Sequence, residues 1–177
     1  YGTISYEEDR NGNSNLAASF DGSSYLRVTN EEDHIDLSAY TVAAWLKPAS
    51  NSWNQYAFGL TSPNRDISLA FNNSKFNGHF HTNGKYYSVE NPNKSEIGTW
   101  THVAYVYTTT FSGSTATLYV DGIEVKTNDF DAIPKWTGLI MNIGSMNNTY
   151  NFIGAIDDMI FTHRALSANE IRDLAEY

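Results

Sequence analysis

Apolar and polar positions alternate along most of this chain, in short runs of period two separated by turn-forming residues. These runs predict strands at Tyr25 to Val28, Thr41 to Lys47, Tyr56 to Leu60, Ile67 to Phe71, Phe76 to His81 and Tyr86 to Val89. Five more are predicted at Trp100 to Tyr107, Thr115 to Val120, Ile123 to Lys126, Leu139 to Ile143 and Ile156 to Thr162. Asp21-Gly22, Asn83-Gly84 and Ser112-Gly113 punctuate them. Between Trp100 and Tyr107 both alternating sets are apolar, which marks a strand buried on both faces and so a central one.

Three local signals are sharper than the rest. Asp121-Gly122 separates Leu118-Tyr119-Val120 from Ile123-Glu124-Val125, and this pair tolerates the positive φ of a two-residue type I′ turn, so a hairpin is expected. Ser167, three residues before Glu170 and ahead of Ile171 and Leu174, predicts a capping box and one short final helix. Ile156, Asp158 and Ile160 alternate with Asp157, Met159 and Phe161, which predicts one acid on each face of the last strand. An inward carboxylate must then be paired, hydrogen-bonded or metal-bound. The pattern as a whole predicts an all-β, antiparallel two-sheet β-sandwich with one short C-terminal helix.

Composition narrows the picture. The 177 residues suit a single domain, and 14% aromatic against 18% charged residues favours a sheet protein over a helical bundle. A net charge of −9, with 11 Lys and Arg scattered along the chain, opposes binding to phosphate backbones, so nucleic acid is not the expected partner. An acidic surface can supply carboxylates for calcium but also serves solubility alone. There is no cysteine, which leaves the redox compartment open, and no apolar run long enough for membrane insertion.

Several segments then fit one family. AASFDGSSYLRV (Ala17 to Val28), YTVAAWLKP (Tyr40 to Pro48), GTWTHVAYVY (Gly98 to Tyr107), LYVDGIEV (Leu118 to Val125) and GAIDDMIFTHRALSANEI (Gly154 to Ile171) resemble, in order and spacing, the laminin-G-like jelly roll of the concanavalin A-like lectin and glucanase superfamily, especially its bacterial form. The resemblance implies one domain over 1–177: two packed antiparallel sheets, in a non-catalytic extracellular or cell-surface module of a larger multidomain protein. Family members begin with an earlier strand, whereas Tyr1-Gly2-Thr3-Ile4 joins the pattern after it. Either the chain is truncated there or another strand takes that place. An uncovered neighbour would be an edge open to dimerisation.

Candidate sites follow from residue chemistry and from the resemblance. The resemblance places Asp21, with Ser23, near Asp157 and Asp158, a set that calcium would complete with backbone carbonyls and water as a structural ion. Asp9, Asn11, Asn13 and Asn15 also alternate oxygens, but the glycine and distal glutamate of a calcium loop are misplaced. For a polysaccharide or other glycan, flat rings stack on the C–H face of a pyranose. Trp53 with Tyr56, and Trp136, lie in loop-like surroundings beside amides, and Tyr86, Tyr87 and Tyr150 are further candidates. Trp45 and Trp100 belong to the expected core. His79 and His81 share a strand face opposite Phe80, suited to hydrogen bonding in a glycan groove. The catalytic Glu-x-Asp-x-x-Glu arrangement of the superfamily's glucanases has one poor counterpart, Glu31-Glu32-Asp33-His34-Ile35-Asp36. The expectation is a non-catalytic carbohydrate-binding module holding a structural calcium; the alternatives are a protein-interaction domain of an adhesin, and a hydrolase using Glu31 and Asp33.

Overall fold

A computed structural model describes residues 1–28, 37–62, 65–134 and 140–177, with the side chains of Ser62 and Arg65 outside that description. Its strands, in chain order, are Ser5–Glu7 (β1), Ala17–Asp21 (β2), Leu26–Val28 (β3), Ala39–Pro48 (β4), Gln55–Ser62 (β5), Arg65–Asn72 (β6), Lys75–Thr82 (β7) and Lys85–Glu90 (β8). Then come Thr101–Thr109 (β9), Ser114–Val120 (β10), Ile123–Phe130 (β11), Ile140–Ile143 (β12), Ser145–Met146 (β13), Tyr150–Asn151 (β14) and Ile153–Thr162 (β15), followed by one helix, Ala168–Glu176 (α1). The chain is an all-β jelly roll of two packed sheets.

The first sheet runs β1-β2-β15-β4-β9-β10-β11 and the second β13-β14-β5-β6-β7-β8, with β12 bridging β3 and β5. Among the described residues all pairs are antiparallel except β14 with β5, where Asn151 meets Tyr56 in parallel. Between the sheets lie Tyr40, Val42, Leu46, Tyr105 and Leu118 from the first and Phe58, Ile67, Leu69, Phe76 and Phe80 from the second. β9 has neighbours on both sides, and every residue from Thr101 to Tyr107 is buried, as its doubly apolar pattern requires.

Local signals hold where local chemistry decides. Asp121 (φ 49°) and Gly122 (φ 75°) both take the left-handed turn conformation, and Val120 pairs Ile123 across them. At α1 the Ser167 hydroxyl accepts from the Glu170 amide while the Glu170 carboxylate accepts from the Ser167 amide, which closes the capping box. That exchange, first the Ser167 amide and then the Arg164 guanidinium, holds the Glu170 carboxyl down at about 2. Ser167→Ala is expected to lower stability by about 1 kcal/mol in urea denaturation, and an unchanged midpoint would show that tertiary packing alone sets the helix start.

Three expectations are corrected. First, the alternation in β15 breaks after Asp157, where the register against β4 shifts and Asp158 takes φ 46°. This bulge keeps both acids off the core and turns Met159 and Phe161 inward. Both carboxylates meet Arg10, Asp157 at 3.3 Å and Asp158 more closely. Second, Trp45 is not in the core: it lies half-buried on the outer face of the first sheet, with the Arg10 guanidinium 5.0 Å from its ring centroid. Trp100 is likewise half-buried, beside Lys47 at 5.7 Å. That outer face is apolar because α1 covers it, Ile171 and Leu174 packing on Ala43, Ala104, Val106 and Tyr119. Third, Tyr87 faces inward and stacks on Phe80 at 4.9 Å.

β1 occupies the position beside β2, which the sequence left open. The outer strands of this sheet are β1, only three residues long, and β11, which carries Glu124, Lys126 and Asp129. Short length and charge both discourage strand addition. Among the described residues no helix is long and apolar enough to cross a membrane.

Candidate functional site

The outer face of the second sheet gathers five of the residues singled out from the sequence. The two-residue turn at Asn83-Gly84 fixes the pairing of β7 with β8, so that His81 opposes Tyr86 and His79 opposes Ser88. The turn at Asn73 and Ser74, both at positive φ, sets β6 against β7, so that Asp66 opposes His81 and Ser68 opposes His79. In β5 the register shifts between Tyr56 and Phe58, and both Ala57 and Phe58 enter the core. Tyr56 is thereby turned to the outer face, where it packs with Ala70 and Met146. The parallel contact of β14 with β5 then brings Tyr150 beside Tyr56.

Ring geometry ties these side chains into one surface. Tyr56 stands edge-on to His79 at 5.6 Å and lies 5.8 Å from Tyr150. Tyr86 stacks on His81 at 4.4 Å and meets His79 edge-on at 5.6 Å. Tyr86 is 64% exposed and Tyr150 43%, whereas His79 and Asp66 are buried, so tyrosine rims stand over a polar floor. The Ser68 hydroxyl lies 2.9 Å from His79 Nδ1. Asp66 lies 3.4 Å from His79 Nε2 and 3.9 Å from His81 Nδ1, between two imidazoles. Burial first, and then the negative charge of Asp66, push the Tyr56 hydroxyl up to about 12. The same causes in the same order raise Tyr86. Both phenols therefore stay protonated at neutral pH and remain hydrogen-bond donors.

Asp66 and Ser68 were missed from sequence, although a signal for them existed. Asp66, Ser68 and Ala70 alternate with Ile67, Leu69 and Phe71, so the outward set was readable. The Asn73-Ser74 turn would have placed Asp66 opposite His81.

Trp53 is 73% exposed in the connection leading into β5. Gln55 pins that connection: its side-chain amide donates to the Ser50 carbonyl (2.6 Å) and the Ser52 carbonyl (3.2 Å), and its oxygen accepts from the Ile153 amide (3.1 Å). Trp136 and the acidic string at 31–36 lie outside the described residues.

The expected calcium ligands are kept apart. Asp21 pairs Ile153 in the β2–β15 ladder and Ala18 pairs Ile156, which places Asp157 and Asp158 four or more residues further along the ladder, about 13 Å away. The Asp21 carboxylate accepts from the Ser23 amide (2.8 Å) and hydroxyl (2.9 Å) and from Ser24 (3.0 Å). These bonds, the Ser23 amide foremost, hold it at about 2. Asp157 and Asp158 already share Arg10. As one set, Asp21, Ser23, Asp157 and Asp158 do not fit a single calcium ion, and among the described residues no group of three His, Cys, Asp or Glu could hold a metal. Asp9 instead caps its own turn, accepting from the Asn11 and Asn13 amides (both 2.8 Å).

A cavity of about 400 Å³ lies between α1 and the outer face of the first sheet, lined by Trp45, His102, Asp158, Ile160, Leu174 and Tyr177 among others. Its ring nitrogens, Trp45 Nε1 and His102 Nδ1, are buried away from its surface and unpartnered.

With this geometry in hand, comparison with known proteins adds three findings. A laminin G family profile, described as concanavalin A-like lectin/glucanases superfamily, matches residues 20–172. A search of curated protein sequences gave no match. Among solved structures, domain 4 of AbnA, a GH43 extracellular arabinanase from Geobacillus stearothermophilus in complex with arabinotriose, superposes with a TM-score of 0.79 at 24% identity, over 99% of this chain and 82% of that one. The CBM40 of the Ruminococcus gnavus IT-sialidase, bound to α2,3 sialyllactose, gives 0.71 at 18% identity over 90% and 96%. A SAP-like pentraxin from Limulus polyphemus gives 0.67 at 18% over 89% and 80%. At these identities the likeness concerns the fold.

Proposed function

We propose that this chain, which belongs to the concanavalin A-like lectin/glucanases superfamily, is a non-catalytic carbohydrate-binding module of a secreted or surface bacterial protein. The observation that carries this reading is the convergence of Tyr56, Tyr86 and Tyr150 with His79 and His81 around Asp66 on one sheet face. Exposed rings supply apolar area for the C–H face of a sugar, and the buried polar groups supply hydrogen bonds to its hydroxyls. The presence among its fold relatives of a domain solved with arabinotriose and a module bound to sialyllactose supports the same reading. Its role would be recruitment, in which the module raises the local concentration of whatever is attached to it at a glycan surface. Trp53, exposed in the connection that leads into β5, is a further candidate ring for a longer polymer.

Titration calorimetry against a polysaccharide panel tests this, run with calcium and with chelator. Because Tyr86 is largely exposed, Tyr86→Ala is expected to melt as wild type yet lose about 2 kcal/mol of binding, roughly thirtyfold in Kd. Trp53→Ala is expected to weaken long polymers more than short oligomers. No binding by wild type in either buffer, or full binding by Tyr86→Ala, would sink the reading. A loss confined to the chelator arm would return calcium to the site as a structural ion.

A further inference from the structure

We infer, resting on the glycan reading above, that this face selects uncharged sugars, with Asp66 as the acceptor for sugar hydroxyls and as the group that turns away uronic and sialic acids. Asp66 is 6% exposed, and its Oδ1 is buried without a hydrogen-bond partner. The nearest cationic candidates are the imidazoles of His79 and His81, and among the described residues no lysine or arginine pairs with it. Its Oδ1 faces His79 Nε2 at 3.4 Å and its Oδ2 faces His81 Nδ1 at 3.9 Å, neither in hydrogen-bond geometry, so the carboxylate keeps lone pairs for a further donor.

The surroundings are equally one-sided. Tyr86 and Tyr150 present exposed rings and phenols, Tyr56 lies largely buried behind them, and Ser68 has a hydroxyl already directed at His79. Glu90 continues the same outer face opposite Asn77, and its charge is met by Lys75 at 2.8 Å on the sheet margin. The chain as a whole carries a net charge of −9. A sugar carboxylate placed over this floor would meet Asp66 at short range, with no arginine fork among the described residues to receive it, whereas a sugar hydroxyl would give Asp66 a charge-assisted hydrogen bond. An uncompensated like charge in a partly desolvated site is the stronger of the two discriminations.

The test uses five trisaccharide probes on the whole chain: arabinotriose, xylotriose and cellotriose as neutral ligands, and trigalacturonate and α2,3 sialyllactose as charged ones. Wild type is expected to bind at least one neutral trisaccharide and both charged ones at least tenfold more weakly. Asp66→Asn keeps the shape and removes the charge. It is expected to weaken the neutral ligand about ten- to a hundredfold and to narrow the gap between neutral and charged probes. That second change is one a purely structural role would not produce.

Charged probes binding wild type as tightly as neutral ones would overturn the inference while leaving the module a glycan binder. An Asp66→Asn variant that retains wild-type affinity and selectivity would do the same. Should that variant fail to fold, the selectivity of wild type decides the matter by itself. If wild type binds no saccharide at all, the functional reading fails and this inference with it.

Discussion

Gly78→Ala is expected to destabilise the protein by about 3 kcal/mol or more, enough to lower Tm by roughly 6–12 °C for a domain of this size. Gly78 sits in β7 between Phe76 and Phe80, all directed at the core, and a Cβ there would overlap the Tyr105 ring. Tyr105 is fully buried and held against Tyr40 with ring centroids 6.0 Å apart, so it has no open space to move into. Overpacking is costly here because both the ring and the strand are fixed by neighbours. The consequence reaches function, since Asn77 and His79 flank this glycine on the outer face. Urea denaturation measures the effect, and a variant within 1 kcal/mol of wild type would mean that the sheets separate more easily than the packing implies.

Acid is expected to weaken the fold through His102. This residue is 2% exposed, stands edge-on to Trp45 at 5.6 Å, and has Nδ1 buried without a partner. Burial foremost, with the Arg10 guanidinium adding to it, pushes the imidazole down to about 4. The unfolded chain takes up its proton near 6.5 and the folded chain only near 4, so between these values the unfolded state binds more protons and stability falls as pH falls. Integrated over that window the loss is about 3 kcal/mol, complete below pH 4 and absent well above 6.5.

Asp157, raised by burial and then by Asp158, acts in the opposite sense, because its folded form takes up a proton before the unfolded one as pH falls. The carboxyls of Asp21 and Glu170, both held down at about 2, add acid sensitivity below the usual carboxylate range. Urea midpoints between pH 7.5 and 4 should therefore drop in wild type and drop much less in His102→Gln. Parallel curves for the two proteins would show that His102 is not the responsible group.

Much of the fold is legible because it is locally encoded. The Asp121-Gly122 turn, the Ser167–Glu170 cap and the doubly apolar run of β9 each depend on neighbouring residues, and each forms as its chemistry requires. The segments β1, β2, β13 and β14 escaped for the converse reason. β1, β13 and β14 are only two or three residues long, and β2 alternates imperfectly, with its burial set by the strands beside it.

The site divides along the same line. The shared face of His79 and His81, and the register that brings Tyr86 to His81, follow from period two and an Asn-Gly turn, so the sequence determined them. The outward turn of Tyr56 does not: strict alternation with Phe58 and Leu60 would have placed it between the sheets, and only the shift that lets Ala57 and Phe58 both fill the core moves it to the outer face. The same is true of Asp157 and Asp158, which a bulge in β15 turns from one on each face to a shared partnership with Arg10. Tyr150 reaches Tyr56 through a parallel pairing between residues far apart in the chain. Trp45 leaves the core for the outer face of the first sheet, the face α1 covers. Strands, turns, caps and family membership are thus written in the sequence, because short-range sterics and periodicity decide them. Which side chains meet was settled by tertiary structure, because bulges and long-range pairings answer to the packing of the whole core.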